Sequence, residues 1–127
     1  MIEQSLLLRQ INPAFVQNGF AIRLAFRPTK KDEKRLSVSD GSQITPEEAW
    51  KRYTKLLGYR SVGVLGVAVG ECESCLLTVQ AAPVDGQPDH MEIDFSALTT
   101  GGDVDRAAKK LCRQANARGW LYVERYF

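Results

Sequence analysis

Apolar and polar positions along the chain change their period several times, and each change marks an expected element. Ser5 to Ile11 is a short apolar strand that ends at Asn12-Pro13, because proline lacks the ladder donor and restricts the residue before it. Phe20 to Phe26 places Phe20, Ile22, Leu24 and Phe26 on one side against Ala21, Arg23 and Ala25, which predicts a half-buried strand. Arg27 to Arg35 is polar and basic and reads as a charged surface loop, and Leu36 to Val38 predicts a brief strand closed by Ser39-Asp40-Gly41. Thr45-Pro46-Glu47-Glu48 combines a threonine cap, proline at the first helical position and a glutamate three residues after the cap, so a helix begins there. Its stripe is Ala49, Trp50, Tyr53, Leu56 and Leu57, and Gly58 is its stop.

Ser61 to Val69 has no polar face, as a strand covered on both sides requires, and its glycines permit close approach by another backbone. Leu76 to Ala81 and Met91 to Phe95 predict two further strands around the loop Pro83 to Asp89. A second helix is expected from Asp103 to Arg118 with Gly119 as its stop, followed by a last strand at Trp120 to Glu124. About six short strands and two amphipathic helices without regular βαβ alternation make an α+β fold with a mostly antiparallel or mixed sheet. A length of 127 residues suits one domain spanning residues 1–127.

Composition narrows the function classes. Apolar residues at 44% and charged residues at 25% exclude a disordered chain. A net charge of +2 is too mild to mark a nucleic-acid binder by itself. Neither a signal-peptide pattern nor an apolar run long enough to cross a membrane occurs, so a cytoplasmic chain is expected. The cysteines Cys72, Cys75 and Cys112 are an odd set, for which reduced thiols are expected and not a disulfide framework.

Charge is sorted on the second helix. Val104, Ala108, Leu111 and Ala115 share a narrow face, while Arg106, Lys109, Lys110 and Arg113 occupy the opposite arc with no acidic residue between Arg106 and Arg118. Such a stripe is either a solvated face or a surface for an acidic protein partner or a phosphate backbone. Arg27, Lys30, Lys31, Lys34 and Arg35 extend it if their loop lies near the helix. No exposed aromatic is interleaved with these residues as stacking on bases needs, which ranks nucleic acid below an acidic protein.

Other constellations are weaker. Cys72-Glu73-Ser74-Cys75 is a lone C-x-x-C; zinc would need Cys112 and His90 as further ligands, and Glu71 and Glu73 oppose a redox thiolate. His90 is the one histidine, and on a strand it shares a face with Glu92 and Asp94 while Met91, Ile93 and Phe95 face the core. GVLGVAVG lacks both the dinucleotide fingerprint spacing and a following helix. Arg9, Ser37-Val38-Ser39 and Glu71-Cys72-Glu73 resemble, in order, the arginine, S-x-S and E-x-E elements of ADP-ribosyltransferases. That resemblance implies an NAD-using domain in which Arg9 and Ser37 hold the dinucleotide and Glu73 steadies the developing oxocarbenium ion.

The phrases LLLRQINPAFVQNG, AFRPTKKDEKRLSVSDG, ITPEEAW, RSVGVLGVAVGEC, DHMEIDF and RGWLY together resemble a group of small bacterial proteins without an assigned activity. The likeness spans nearly the whole chain and implies a bacterial, cytoplasmic setting but no site. Taken together, the residues favour a cofactor-free binding or accessory protein over an enzyme. Its expected contact surface is Arg106, Lys109, Lys110 and Arg113.

Overall fold

The computed structural model describes residues 3–29 and 34–125. The apolar run near the start becomes β1 (Leu6–Ile11), and Asn12 stops it by accepting the Ala14 amide at 2.9 Å as a 3-10 turn, Pro13–Phe15, begins. β2 (Val16–Gln17) and β3 (Phe20–Ala21) form a two-stranded hairpin across Asn18-Gly19, the dipeptide whose backbone twist suits a tight hairpin. The strand expected from Phe20 to Phe26 therefore ends after two residues, and Arg23–Phe26 is a 3-10 turn. Both polar groups of the Ala21 backbone are taken by Asn116, which donates to the carbonyl and accepts from the amide, so the chain docks on the C-terminal helix instead of extending a ladder.

β4 (Arg35–Asp40) is longer than its apolar core suggested, and Asp40 closes it in a turn that accepts from the Ser42 amide and hydroxyl. α1 (Pro46–Lys51) starts with the expected reciprocal cap: Thr45 Oγ1 accepts the Glu48 amide, and Glu48 accepts the Thr45 amide. It continues into a π-helical turn, Arg52–Leu56, in which the Leu57 amide reaches back to the Arg52 carbonyl. β5 (Gly63–Ala68) is buried along nearly its whole length. A short helix, α2 (Val69–Ser74), follows it directly, where only a connecting segment was expected. Glu71 supports its start by accepting the Ala68 amide at 2.7 Å. β6 (Thr78–Ala81) and β7 (His90–Asp94) make a hairpin, and α3 (Gly101–Arg118), capped by Thr100, precedes β8 (Tyr122–Val123).

The main sheet has six strands in the order β6-β7-β4-β1-β5-β8, and every neighbouring pair is antiparallel. The fold is α+β as expected, with three α-helices where two were foreseen and the β2-β3 hairpin as a second small sheet. One face of the sheet, carrying Leu7, Leu36, Leu65, Val67 and Ile93, packs under Val104, Ala108, Leu111 and Ala115 of α3 and under Phe26 of the 3-10 turn. The other face is covered by α1 over β1, β5 and β8, where Leu8, Ala49, Trp50 and Val64 form a second cluster. Trp50 fixes that cluster by donating its indole N–H to the Ser61 carbonyl and resting 5.2 Å from the Tyr122 ring.

Gly63 shows what the glycines of β5 do. A Cβ at this position would collide with the Tyr122 carbonyl oxygen and stand 3.0 Å from the Trp120 ring, so β8 can lie alongside only because no side chain is there. Among the described residues no helix is long and apolar enough to cross a membrane.

Candidate functional site

α3 presents its expected polar arc to solvent: Arg106, Lys109, Lys110 and Arg113 are all exposed, and Val104, Ala108, Leu111 and Ala115 are buried. One member of the stripe is compensated. Asp103 sits one turn before Arg106 and pairs with it, an i,i+3 neighbour on the helix surface just ahead of the acid-free stretch. The uncompensated part is Lys109, Lys110 and Arg113, for which the described residues supply no ion-pair partner.

The 3-10 turn extends this surface. Arg23 and Arg27 both reach Asp105 on α3, each at 2.8 Å, and hold its carboxyl below the ordinary aspartate value. The face thus carries the cations Arg23, Arg27, Arg106, Lys109, Lys110 and Arg113 against the carboxylates Asp103 and Asp105. Between the turn and the helix runs a shallow groove of about 400 Å³, lined by Ile22, Arg23, Lys109, Cys112, Arg113 and Asn116. Phe20 and Leu24, chain neighbours of the lining residues Ile22 and Arg23, are 61% and 41% exposed. Phe20 and Leu24 were missed as surface residues because the alternating pattern placed them on the apolar side of a half-buried strand. The Asn18-Gly19 turn dipeptide was the available signal that this strand would be cut short.

Lys34 donates to the Leu98 carbonyl at 2.9 Å, just before the helix, and Arg35 is exposed at the start of β4. Lys30 and Lys31 lie outside the described residues.

A second concavity lies on the opposite face of the sheet. It measures about 500 Å³; its floor carries Leu8, Gln10, Ser37, Ser39 and His90, and its rim carries Tyr53, Leu57, Tyr59, Val84 and Gln87. Arg9 and Ser37 both border it, but the strand register turns the Arg9 side chain to the α3 side with Leu7, whereas Ser37 shares the groove side with Ser39, and Arg9 is committed to the backbone. Its Nε donates to the Ala25 carbonyl and its Nη1 to the Ser37 carbonyl, each at 2.9 Å, bridging β1 and β4 beyond their last ladder pair, Leu8 and Ser39. Glu73 is exposed on α2 and does not line this groove, and Arg9 touches Ser37 only at its backbone carbonyl, so the structure does not assemble the Arg9, Ser37 and Glu73 set. Glu71 is occupied: burial acts to raise its pKa, but the Arg118 guanidinium at 2.9 Å and the Ala68 amide outweigh it and hold the carboxyl below its ordinary value.

His90 shares its outward face with Glu92 and Asp94, and Met91, Ile93 and Phe95 are buried, as the alternation predicts. Its Nδ1 lies 2.8 Å from the Ala82 carbonyl. A carbonyl only accepts, so Nδ1 carries the proton in the neutral ring and Nε2 is left with a lone pair. Arg52 and Asp89 form a bidentate pair with both bonds at 2.7 Å. Asp89 is 3% exposed. The pair ties the π-turn to the end of the 83–88 loop, and Arg52 holds the Asp89 carboxyl below its ordinary value against the effect of burial.

The three cysteines are free. Burial, reinforced by Cys75 and the carboxylates of Glu71 and Glu73, pushes the Cys72 thiol up to about 12, which removes the thiolate that redox chemistry needs. Cys112 is buried and donates to the Ala21 carbonyl, and among the described residues no group of three His, Cys, Asp or Glu side chains is placed to hold a metal. No protein-family model, curated protein or solved structure matches the chain.

Proposed function

We propose that this chain is a binding protein of the bacterial cytoplasm that presents the basic face of α3, together with the Arg23–Phe26 turn, to an acidic and partly apolar segment of another protein. The observation that carries the reading is the exposure of Lys109, Lys110 and Arg113 without an intramolecular counter-charge, beside a groove floored by Ile22 and Cys112, with exposed Phe20 and Leu24 close by in the chain. Magnitudes decide between partner classes. Exposed ion pairs contribute about 0.2–1 kcal/mol each, so three lysine or arginine contacts orient a partner without holding it. Covering what remains exposed of Phe20 or Leu24 adds roughly half of the about 1.5–3 kcal/mol that full burial gives, and affinity then requires an apolar contribution from the partner. Three free cations neutralise few phosphates, fewer than the roughly 6–10 that give nucleic-acid binders their affinity. A cytoplasmic setting agrees with three unpaired thiols.

The test is fluorescence anisotropy with a labelled peptide of alternating glutamate, leucine and phenylalanine, alongside a single-stranded oligonucleotide of matched length. The peptide should bind, and Lys110→Glu with Arg113→Glu should weaken it at least about tenfold while leaving the thermal transition in place. An unaffected double variant, or tighter binding of the oligonucleotide that the same double variant abolishes, overturns the reading.

A further inference from the structure

The groove over β1, β4 and β7 lies on the face of the sheet away from α3, and its chemistry differs from that of the basic surface. Its lining includes no carboxylate, and the one cation, Arg9, is spent on two backbone carbonyls. The floor instead offers neutral acceptors. Gln10 Oε1 is buried without a hydrogen-bond partner, and His90 Nε2 keeps its lone pair because Nδ1 is engaged with Ala82. An orphaned buried acceptor is costly, and because Gln10 itself lines the groove and is only half-buried, a rotation of its amide would bring Oε1 to a ligand N–H.

One wall is aromatic. Tyr53 and Tyr59 stand with ring centroids 5.1 Å apart at a 38° tilt, and Tyr59 remains 59% exposed. Leu57 and Val84 complete the rim with further exposed apolar surface. The π-turn creates this wall: its wider winding turns Tyr53 and Leu57 toward the groove while Trp50, in the preceding α-helical turn, stays in the core. The bidentate Arg52–Asp89 pair ties this wall to the end of the loop that carries Val84 and Gln87 on the other rim.

We propose that this groove binds a nucleobase, presented by a nucleoside or a larger molecule that carries one. A flat ring stacks on tyrosine with both faces apolar and places its N–H donors at the edge, where Gln10 and His90 accept. A sugar fits the same volume less well, because its hydroxyls would face Leu57 and Val84 without partners. The 500 Å³ of space lies within the range of small-molecule sites.

The experiment is calorimetric titration of the full chain with adenosine, guanosine, cytidine and uridine, with glucose and galactose as controls. At least one nucleoside should bind saturably at millimolar concentration or below, and Tyr59→Ala should weaken it roughly tenfold. Tyr59 is exposed, so this variant should keep the wild-type thermal transition. Gln10→Leu should reduce the preference for a nucleoside over its analogue lacking the exocyclic amine. Lys110→Glu with Arg113→Glu should leave nucleoside affinity unchanged, which separates this site from the basic face. Absence of saturable nucleoside binding, equal binding of the sugars, or an affinity insensitive to Tyr59→Ala would overturn the proposal.

Discussion

Replacing Asp89 with asparagine removes one half of the best-buried ion pair in the described structure. Asp89 has a side chain 4% exposed and Arg52 one of 17%, and they share two charge-assisted bonds of 2.7 Å. Breaking a buried pair from one side costs about 3–5 kcal/mol, since the remaining charge stays desolvated. Asparagine keeps one acceptor and Arg52 keeps some contact with water, which sets the expectation at the lower end, about 3 kcal/mol. For a chain of this length about 1 kcal/mol corresponds to about 4 °C in Tm, so the transition should fall by about 12 °C in a calorimetric scan at pH 7. The sign with pH follows from the lowered folded-state pKa of Asp89. Its contribution is fully present above the unfolded value of about 3.9 and is lost as pH falls through the lower folded value. The gap between wild type and variant should therefore narrow as pH drops below about 4. The double variant with Arg52→Met should cost clearly less than the two singles together, because neither charge is then stranded. A loss below about 1 kcal/mol for Asp89→Asn, or additive singles, would refute the reasoning.

Two further outcomes follow from the packing. Gly63→Ala should destabilise the fold by about 1–3 kcal/mol in urea unfolding, because the added methyl meets the Tyr122 carbonyl of β8 and not a yielding side chain; wild-type stability would show that β8 does not lie against β5. In thiol-exchange kinetics at pH 8 the native chain should expose one slowly reacting cysteine, Cys75, whereas Cys72 and Cys112 should react only on unfolding. Burial raises the Cys75 thiol and Lys110 opposes that rise, so Lys110→Glu should slow the reaction further.

Elements whose signals were local and chemically specific were legible in the sequence. The Thr45 cap, the α3 stripe and the Met91, Ile93 and Phe95 alternation each state their own geometry within a few residues. Phe20 to Phe26 misled because its alternation is incidental. Burial falls on Ala21, Ala25 and Phe26, the residues set against α3, and that contact comes from about 90 residues away through Asn116. α2 escaped notice because six residues containing a glycine make no stripe, although Glu71 standing three residues after Ala68 is half of a capping box. The π-turn was invisible for a different reason. Tyr53, Leu56 and Leu57 complete an α-helical stripe on paper, yet the wider turn rotates them out of phase, and Leu56 ends 78% exposed. The basic face was readable from one helix, but its neighbours Arg23, Phe20 and Leu24 depend on a tertiary contact. The groove depends on three strands and a loop meeting, and no window of sequence contains that.

The position of β1 in the sheet sets the order in which the chain can acquire its structure. It lies between β4 and β5, both of which follow it by more than 20 residues. Its apolar LLL triplet can meet β4 once residue 40 is available, but its longer ladder, with β5, must wait until residue 68. A chaperone that holds that triplet would act at the step where premature self-association competes most strongly with folding.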